Sequence, residues 1–283
     1  MREENKNIHN STAVPVSVLI PCYGSAGTIA RAVESVAAQS VLPAEVILID
    51  DCSQDAGKTV SELHRLQEQY ADRLPIKVIS LPKNVGAGGS RNAGWGVASQ
   101  PYIAFLDADD AWHPRKLEIQ YAYMSANPDV VLCGHGHRLL QHKDEHPDWE
   151  VGPWEARPVH KWELLLSNRF TTPSAMVRRD VTPRFVEGQR YMEDHMLWLL
   201  LVCGGGQVVK LSAELAAIYK RSFGVAGLSA QVGPMGRGDL GNYRRLHRAG
   251  CINALQLGVL GFYSALKHLR RLMIYWSFLR WKK

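Results

Sequence analysis

Cysteine is scarce: five residues (Cys22, Cys52, Cys133, Cys203, Cys251) lie scattered through 283. An odd, dispersed set excludes a disulfide framework and points to a reducing compartment. No apolar run reaches about 18 uninterrupted residues, so a membrane-spanning helix is not expected. The longest candidate, 251–266, is broken by Asn253, Gln256 and glycines. The opening MREENKNIHNST has no apolar stretch of the signal-peptide kind and is expected to be flexible over residues 1–13. There is no internal repeat. Cys133, His135, His137 and His142 have no closed zinc spacing, and the histidines read as ordinary strand residues. The charge excess is only +6. It suits a phosphorylated ligand or a membrane surface, and no nucleic-acid partner is expected.

What remains is an apolar content of 46%, ordinary for a globular chain with a sizeable core. The first third alternates buried-strand patterns (16–20, 45–50, 76–81, 102–106) with helical spacing (29–39, 60–70, 89–99). Strand and helix at this rhythm predict crossover units and a mostly parallel sheet flanked by helices, an α/β fold. Further on, helices are predicted at 114–126, 160–168, 193–203 and 242–283, with strands at 130–140, 174–178 and 213–220. The polar stretch 141–159 reads as a loop, and the Gly-rich 222–241 as a mobile one. The globular domain is placed at 14–240, split into 14–112 and 113–240, with a helical, basic appendage at 241–283.

Each of the first four strands ends in a polar or Gly-rich loop: PCYG, DDCSQD, PKNVGAGG, DADD. Ligands of open α/β sheets bind at that edge. Asp107, Asp109 and Asp110 follow one strand and repel one another. Alternate residues of extended chain share a face, so Asp107 and Asp109 can point together. Two hard oxygen donors with room for water and phosphate suit Mg²⁺ or Mn²⁺, with Asp110 read as a helix cap. A second acidic pair, Asp50–Asp51, precedes Asp55, another cap. A third, Glu193–Asp194, opens a predicted amphipathic helix. There an acid either complements the helix dipole or serves as a general base.

Five segments in this order resemble an inverting, nucleotide-sugar-dependent glycosyltransferase of family 2 with the GT-A (Rossmann-like) fold: VSVLIPCYG (16–24), ILIDDCSQD (47–55), NVGAGGSRNAGW (84–95), YIAFLDADDAWHP (102–114) and EDHMLW (193–198). The resemblance implies that Pro21 and Tyr23 line the nucleotide base, with Asp51 accepting from it. It places Arg91 near the nucleotide or its phosphates. Asp109 becomes the metal ligand, and Asp107 faces the ribose and the metal's waters. Asp194, paired with Glu193, would activate the acceptor hydroxyl, with Trp198 buttressing that helix. Lys220 and Arg221 would meet the diphosphate from a covering loop that also holds Ser229. Gly24 stands where the family often has Asn, and Leu200 where an Arg is common. The implied reaction moves a sugar from a nucleoside-diphosphate sugar, UDP foremost, to a hydroxyl of a saccharide or lipid-linked saccharide in bacterial surface-polysaccharide assembly.

Other readings fit less. GAGGSR (86–91) invites a dinucleotide reading but has Arg91 at the third Gly position and follows the third strand, so its small residues are read as helix–sheet packing. PCYGSAGT lacks a basic triphosphate cradle, against a nucleotidyltransferase. A catalytically silent nucleotide-sugar-binding scaffold is opposed by the retained Asp107, Asp109 and Asp194. In 267–283 an apolar stripe (Leu269, Leu272, Met273, Trp276, Leu279) beside Lys and Arg residues predicts peripheral contact with an anionic membrane. The enzyme is then expected in the cytoplasm, at the inner face of the membrane.

Overall fold

In the computed structural model, residues 13–140, 142, 145, 149–219 and 232–281 are described. Three crossover units build the first half: β1 (Val14–Cys22), α1 (Ile29–Ala37), β2 (Pro43–Asp50), α2 (Lys58–Gln69), β3 (Ile76–Ser80), α3 (Gly86–Val97) and β4 (Tyr102–Phe105). Their strands pair in parallel, as the alternation of patterns requires. The second half holds β5 (Ala111–Trp112), α4 (Lys116–Ala126), β6 (Val130–Leu140), β7 (Ala156–Pro158), α5 (Lys161–Leu166), β8 (Met176–Arg178), α6 (Glu193–Cys203), β9 (Gln207–Tyr219), α7 (Val232–Arg248) and α8 (Ala254–Trp281).

All strands join one sheet, ordered β3-β2-β1-β4-β8-β6-β9-β5, with β7 on β9. β8 runs antiparallel to both β4 and β6, so the sheet is mixed where the sequence reading had it mostly parallel. The local pattern could not show this: a three-residue buried strand has the same composition in either direction. Alternation along β1 sends Val16, Val18 and Ile20 to the face covered by α1, α2 and α4, and Leu19 to the face covered by α3 and α6. The glycines of α3 bring it close to the sheet. A Cβ on Gly94 would lie 2.9 Å from Ile49 Cδ1, so the close approach to the sheet is made at Gly94, past the 86–91 stretch for which packing was expected.

α6 is buried nearly all round, His195 through Leu199 included, and is not the amphipathic helix expected. The sheet covers one side, α5 packs against the helix, and Tyr243, Leu246 and Leu260 of α7 and α8 join the same core. Residues 232–241, expected as loop, form the start of α7. Its Pro234 sits in the first turn, where a missing N–H costs nothing. The border anticipated at 240 thus falls inside a helix. All five cysteines are free.

Candidate functional site

Four strand ends converge on one edge. β1 stops at Cys22, and the chain turns through Gly24 at φ +60°. Glycine and asparagine both tolerate that left-handed conformation, which accounts for Gly24 where Asn is common. Pro21 pairs in register with Ile49, and Tyr23 is exposed beside it. Ser53 ties this turn to the end of β2 by accepting from the Gly24 N–H at 3.0 Å. Asp51 is buried. Its two oxygens accept from the N–H groups of Val85 and Gly86, each at 2.8 Å, at the start of α3. One lone pair remains on each oxygen. Asp55 acts as the expected cap, accepting from the Thr59 N–H at 3.0 Å in the first turn of α2.

Arg91, read from the sequence as lying near the nucleotide or its phosphates, is held between two carboxylates. Its guanidinium is only 4% exposed, donating to Asp107 Oδ1 at 2.6 Å and to Glu193 Oε1 at 3.2 Å. Burial works against its charge, but the Asp107 and Glu193 carboxylates outweigh burial and raise its pKa. One buried cation therefore joins the end of β4 to the start of α6, with Glu193 lying 102 residues beyond Arg91 in sequence. Gly88 makes room: a Cβ there would press on Glu193 Cγ and Phe185 Cβ at 3.2 Å.

Glu193 is held up to about 7, first by burial and then by the neighbouring Asp194, with Arg91 opposing. Asp194 is partly exposed. Its Oδ2 accepts from Asn168 Nδ2 at 2.9 Å and its Oδ1 from the His195 N–H at 2.7 Å. Just before this pair, Met192 takes a left-handed conformation at φ +57°. Such strain costs about 1–3 kcal/mol and persists only where neighbours enforce it. Here Asn242 of α7, almost wholly buried, donates to the Met192 carbonyl at 3.0 Å and accepts from Gln189 at 2.8 Å. Below the pair, Trp198 is fully buried among Phe105, Phe170 and Phe185, the buttress expected of it.

In the acidic turn, Asp107 is partly exposed and Asp109 exposed, whereas Ala108 and Asp110 are buried. The alternation read from the sequence survives past the end of β4. Asp110 is not the helix cap expected. Its Oδ1 accepts from the Tyr219 N–H at 3.1 Å, fixing the end of β9 to this turn. Arg31 stacks on the Tyr219 ring at 3.6 Å and donates to the Asp109 carbonyl. Among the described residues no cluster of three or more His, Cys, Asp or Glu could hold a metal. Two carboxylates without a third protein ligand fit a hard divalent cation that keeps water and takes phosphate oxygens, in the manner of Mg²⁺ or Mn²⁺.

Lys220, Arg221 and Ser229 lie outside the described residues. His135 is buried in β6, where burial lowers its pKa well below the ordinary value, as for a core histidine. Trp149 packs against His113, and Trp162 is exposed. The sequence reading missed Asn168 and Asn242. Each is a lone polar residue without a motif, and only tertiary contact reveals its place.

The family profile described as Glycosyl transferase family 2 matches residues 17–183, which hold the ends of β1 to β4 but not the Glu193–Asp194 pair. The succinoglycan biosynthesis protein ExoO of Rhizobium meliloti is 40% identical over 218 residues, covering 70% of this chain and 59% of that protein. The chain thus spans little more than half the length of this relative. Among solved structures, S. aureus TarS 1–349 in complex with UDP-GlcNAc superposes with a TM-score of 0.66 at 19% identity, covering 87% of this chain and 70% of the other. The mannosyltransferase PcManGT from Pyrobaculum calidifontis, in complex with GDP-Man and Mn²⁺, gives 0.64 at 15% identity, covering 93% and 76%. These likenesses establish the fold. With the profile over more than half its length and a close relative over 70%, the chain belongs to glycosyl transferase family 2.

Proposed function

We propose that this transferase moves one sugar, with inversion, from UDP-sugar to a hydroxyl of a saccharide or lipid-linked saccharide in bacterial surface-polysaccharide assembly. The observation that carries this reading is the Arg91 bridge, which couples the donor-side carboxylate Asp107 to the helix start bearing Asp194. Pro21, Tyr23 and Asp51 receive the base. Asp107 and Asp109 would hold Mn²⁺ or Mg²⁺, which supplies charge stabilisation for the departing diphosphate. Lys220 and Arg221, following Tyr219 in sequence, are assigned to the same diphosphate. Asp194 accepts the acceptor's proton while that oxygen bonds to the anomeric carbon, and the bond to the diphosphate oxygen breaks on the opposite face. Asn168 and the His195 N–H aim the carboxylate. Asp109→Ala should lower Mn²⁺-dependent turnover of UDP-sugar by at least ~100-fold, the scale of several kcal/mol of leaving-group stabilisation. Full activity in that variant, or no turnover by the unaltered chain with any nucleotide sugar, would favour the silent scaffold instead.

The setting proposed is the inner membrane surface. Six of the 33 Lys and Arg residues fall in 251–283, and none of the 27 Asp and Glu, so residues 1–250 hold 27 of each sign. The whole net charge sits in this segment. On α8, Leu255, Val259, Phe262, Leu266, Leu269 and Met273 are exposed at alternating spacings of four and three, one continuous stripe. Leu260 and Ser264 on the opposite side are buried. The stripe begins well before the predicted 267. The side chains of Leu272, Trp276 and Leu279 lie outside the described set. Among the described residues no helix is long and apolar enough to cross a membrane. An apolar stripe with only basic charge beside it fits an anionic bilayer, whereas a second copy would set like charges together. The full chain should float with phosphatidylglycerol vesicles, less so at high salt. Phe262→Glu with Leu269→Glu should weaken this by about tenfold or more, since two apolar anchors become acids. Equal flotation of that double variant would remove the membrane assignment.

A further inference from the structure

A pocket of about 420 Å³ lies between residues 189–191 and α7, within the size range of ligand sites. Three arginines line it: Arg190, Arg237 and Arg245. Among the described residues none of the three forms an ion pair with a carboxylate. Arg190 donates instead to the Asn84 side-chain oxygen, and Arg245 to that of Gln189, both at 2.9 Å. Neutral amides orient a guanidinium without cancelling its charge. Three like charges around one cavity repel, and an anion with several oxygens is the group that relieves them.

The helix is built for this opening. Arg237, Gly238, Gly241 and Arg245 follow at spacings of one, three and four, so they share one side of α7. Gly238 and Gly241 place no side chain there. A Cβ on Gly238 would already meet Met192 Cγ and the Tyr191 carbonyl at 3.2 Å. The other side of α7 packs on α8, where the buried Asp239 pairs with Lys267 at 3.1 Å. The pocket shares no residue with the Asp107–Asp109 turn that provides for the donor's diphosphate. Its rim at Tyr191 is three residues from Asp194.

We propose that this pocket holds the diphosphate of a lipid-linked acceptor and so presents the acceptor sugar to Asp194. The assignment rests on the transferase reading above and names the acceptor class for it. α7 is then the shared wall, with the acceptor's anion on one side and the membrane-facing helix on the other.

The test titrates the full chain calorimetrically in metal-free buffer with two probes, inorganic pyrophosphate and farnesyl diphosphate. Both should bind, the prenylated one more tightly. Arg237→Gln, at an exposed residue, should weaken each by about tenfold, the loss of one charge-assisted contact. Arg245→Gln should do the same. Binding of UDP with Mn²⁺ should stay within about twofold in both variants, the scatter expected of a surface change remote from that site. Absence of binding, or binding indifferent to Arg237→Gln and displaced by UDP, would overturn the proposal. So would binding of pyrophosphate with exclusion of farnesyl diphosphate, which would mark a free-anion site. The transferase reading fails separately, in the Asp109→Ala experiment.

Discussion

Asp194→Asn should abolish transfer, by about 10²–10⁴-fold, while UDP-sugar still binds. The acceptor hydroxyl is a weak nucleophile until a base takes its proton, and an amide cannot. The geometry adds a second effect. Both oxygens of Asp194 face donors, Asn168 Nδ2 and the His195 N–H. An amide offers one acceptor and one donor, so one of these contacts becomes donor against donor and the group swings from its aim. Asp194→Glu keeps the charge but lengthens the reach, and should retain more activity than Asn. Single-turnover transfer alongside calorimetric donor binding separates the cases. Loss of donor binding in Asp194→Asn would show that the residue serves the nucleotide rather than the acceptor.

Arg91→Met should cost both stability and activity. Removing one member of a buried charge cluster leaves the others uncompensated, at roughly 3–5 kcal/mol. For a chain of this size the melting temperature should fall on the order of 10 °C. The loss should also depend on pH. Glu193 titrates near 7 in the folded protein, above its ordinary 4.5, because burial and Asp194 outweigh Arg91. A raised acid stabilises fully below its unfolded value, and that contribution fades as pH climbs from 4.5 to 7. Without Arg91 the Glu193 value rises further, so stability keeps falling above pH 7. The deficit of Arg91→Met should therefore be larger at pH 8.5 than at pH 6. Adding Glu193→Gln should shrink that difference. Melting curves at the two pH values decide it, and an unchanged melting temperature would refute the bridging role.

The N-terminal half was legible because local patterns and global fold agree there: alternating periods fix the strands, and each loop carries its own polar signature. In the acidic turn the period-two alternation persists through Asp107 and Asp109, but the tie of Asp107 to the buried Arg91 could not be read from it. What stayed hidden was relational. Arg91 carries no sequence sign of its two carboxylate partners, which emerge only from the approach of α6 to α3 across Gly88. Asp110 read as a cap because a helix followed, but its partner proved to be Tyr219, 109 residues away. β5 and β7, of two and three residues, are too short for any periodicity to register. α6 was placed to the residue, yet its burial depends on α5 and the sheet and on core residues from the helices that follow it.

The left-handed turn at Met192 carries a further meaning for how far the enzyme extends. A shortened chain ending at Leu240 would keep the acidic turn after β4 but lose Tyr243, Leu246 and Leu260 from the core that α6 shares. It would forfeit Asn242, and with it the amide that keeps the peptide ahead of Glu193 in its costly shape. Relaxation there would tilt the proton acceptor away from the sugar, giving a fragment that grips nucleotide yet turns over slowly. On the proposed role of Asp194, α7 thereby supports the base, and recombinant boundaries belong beyond that helix.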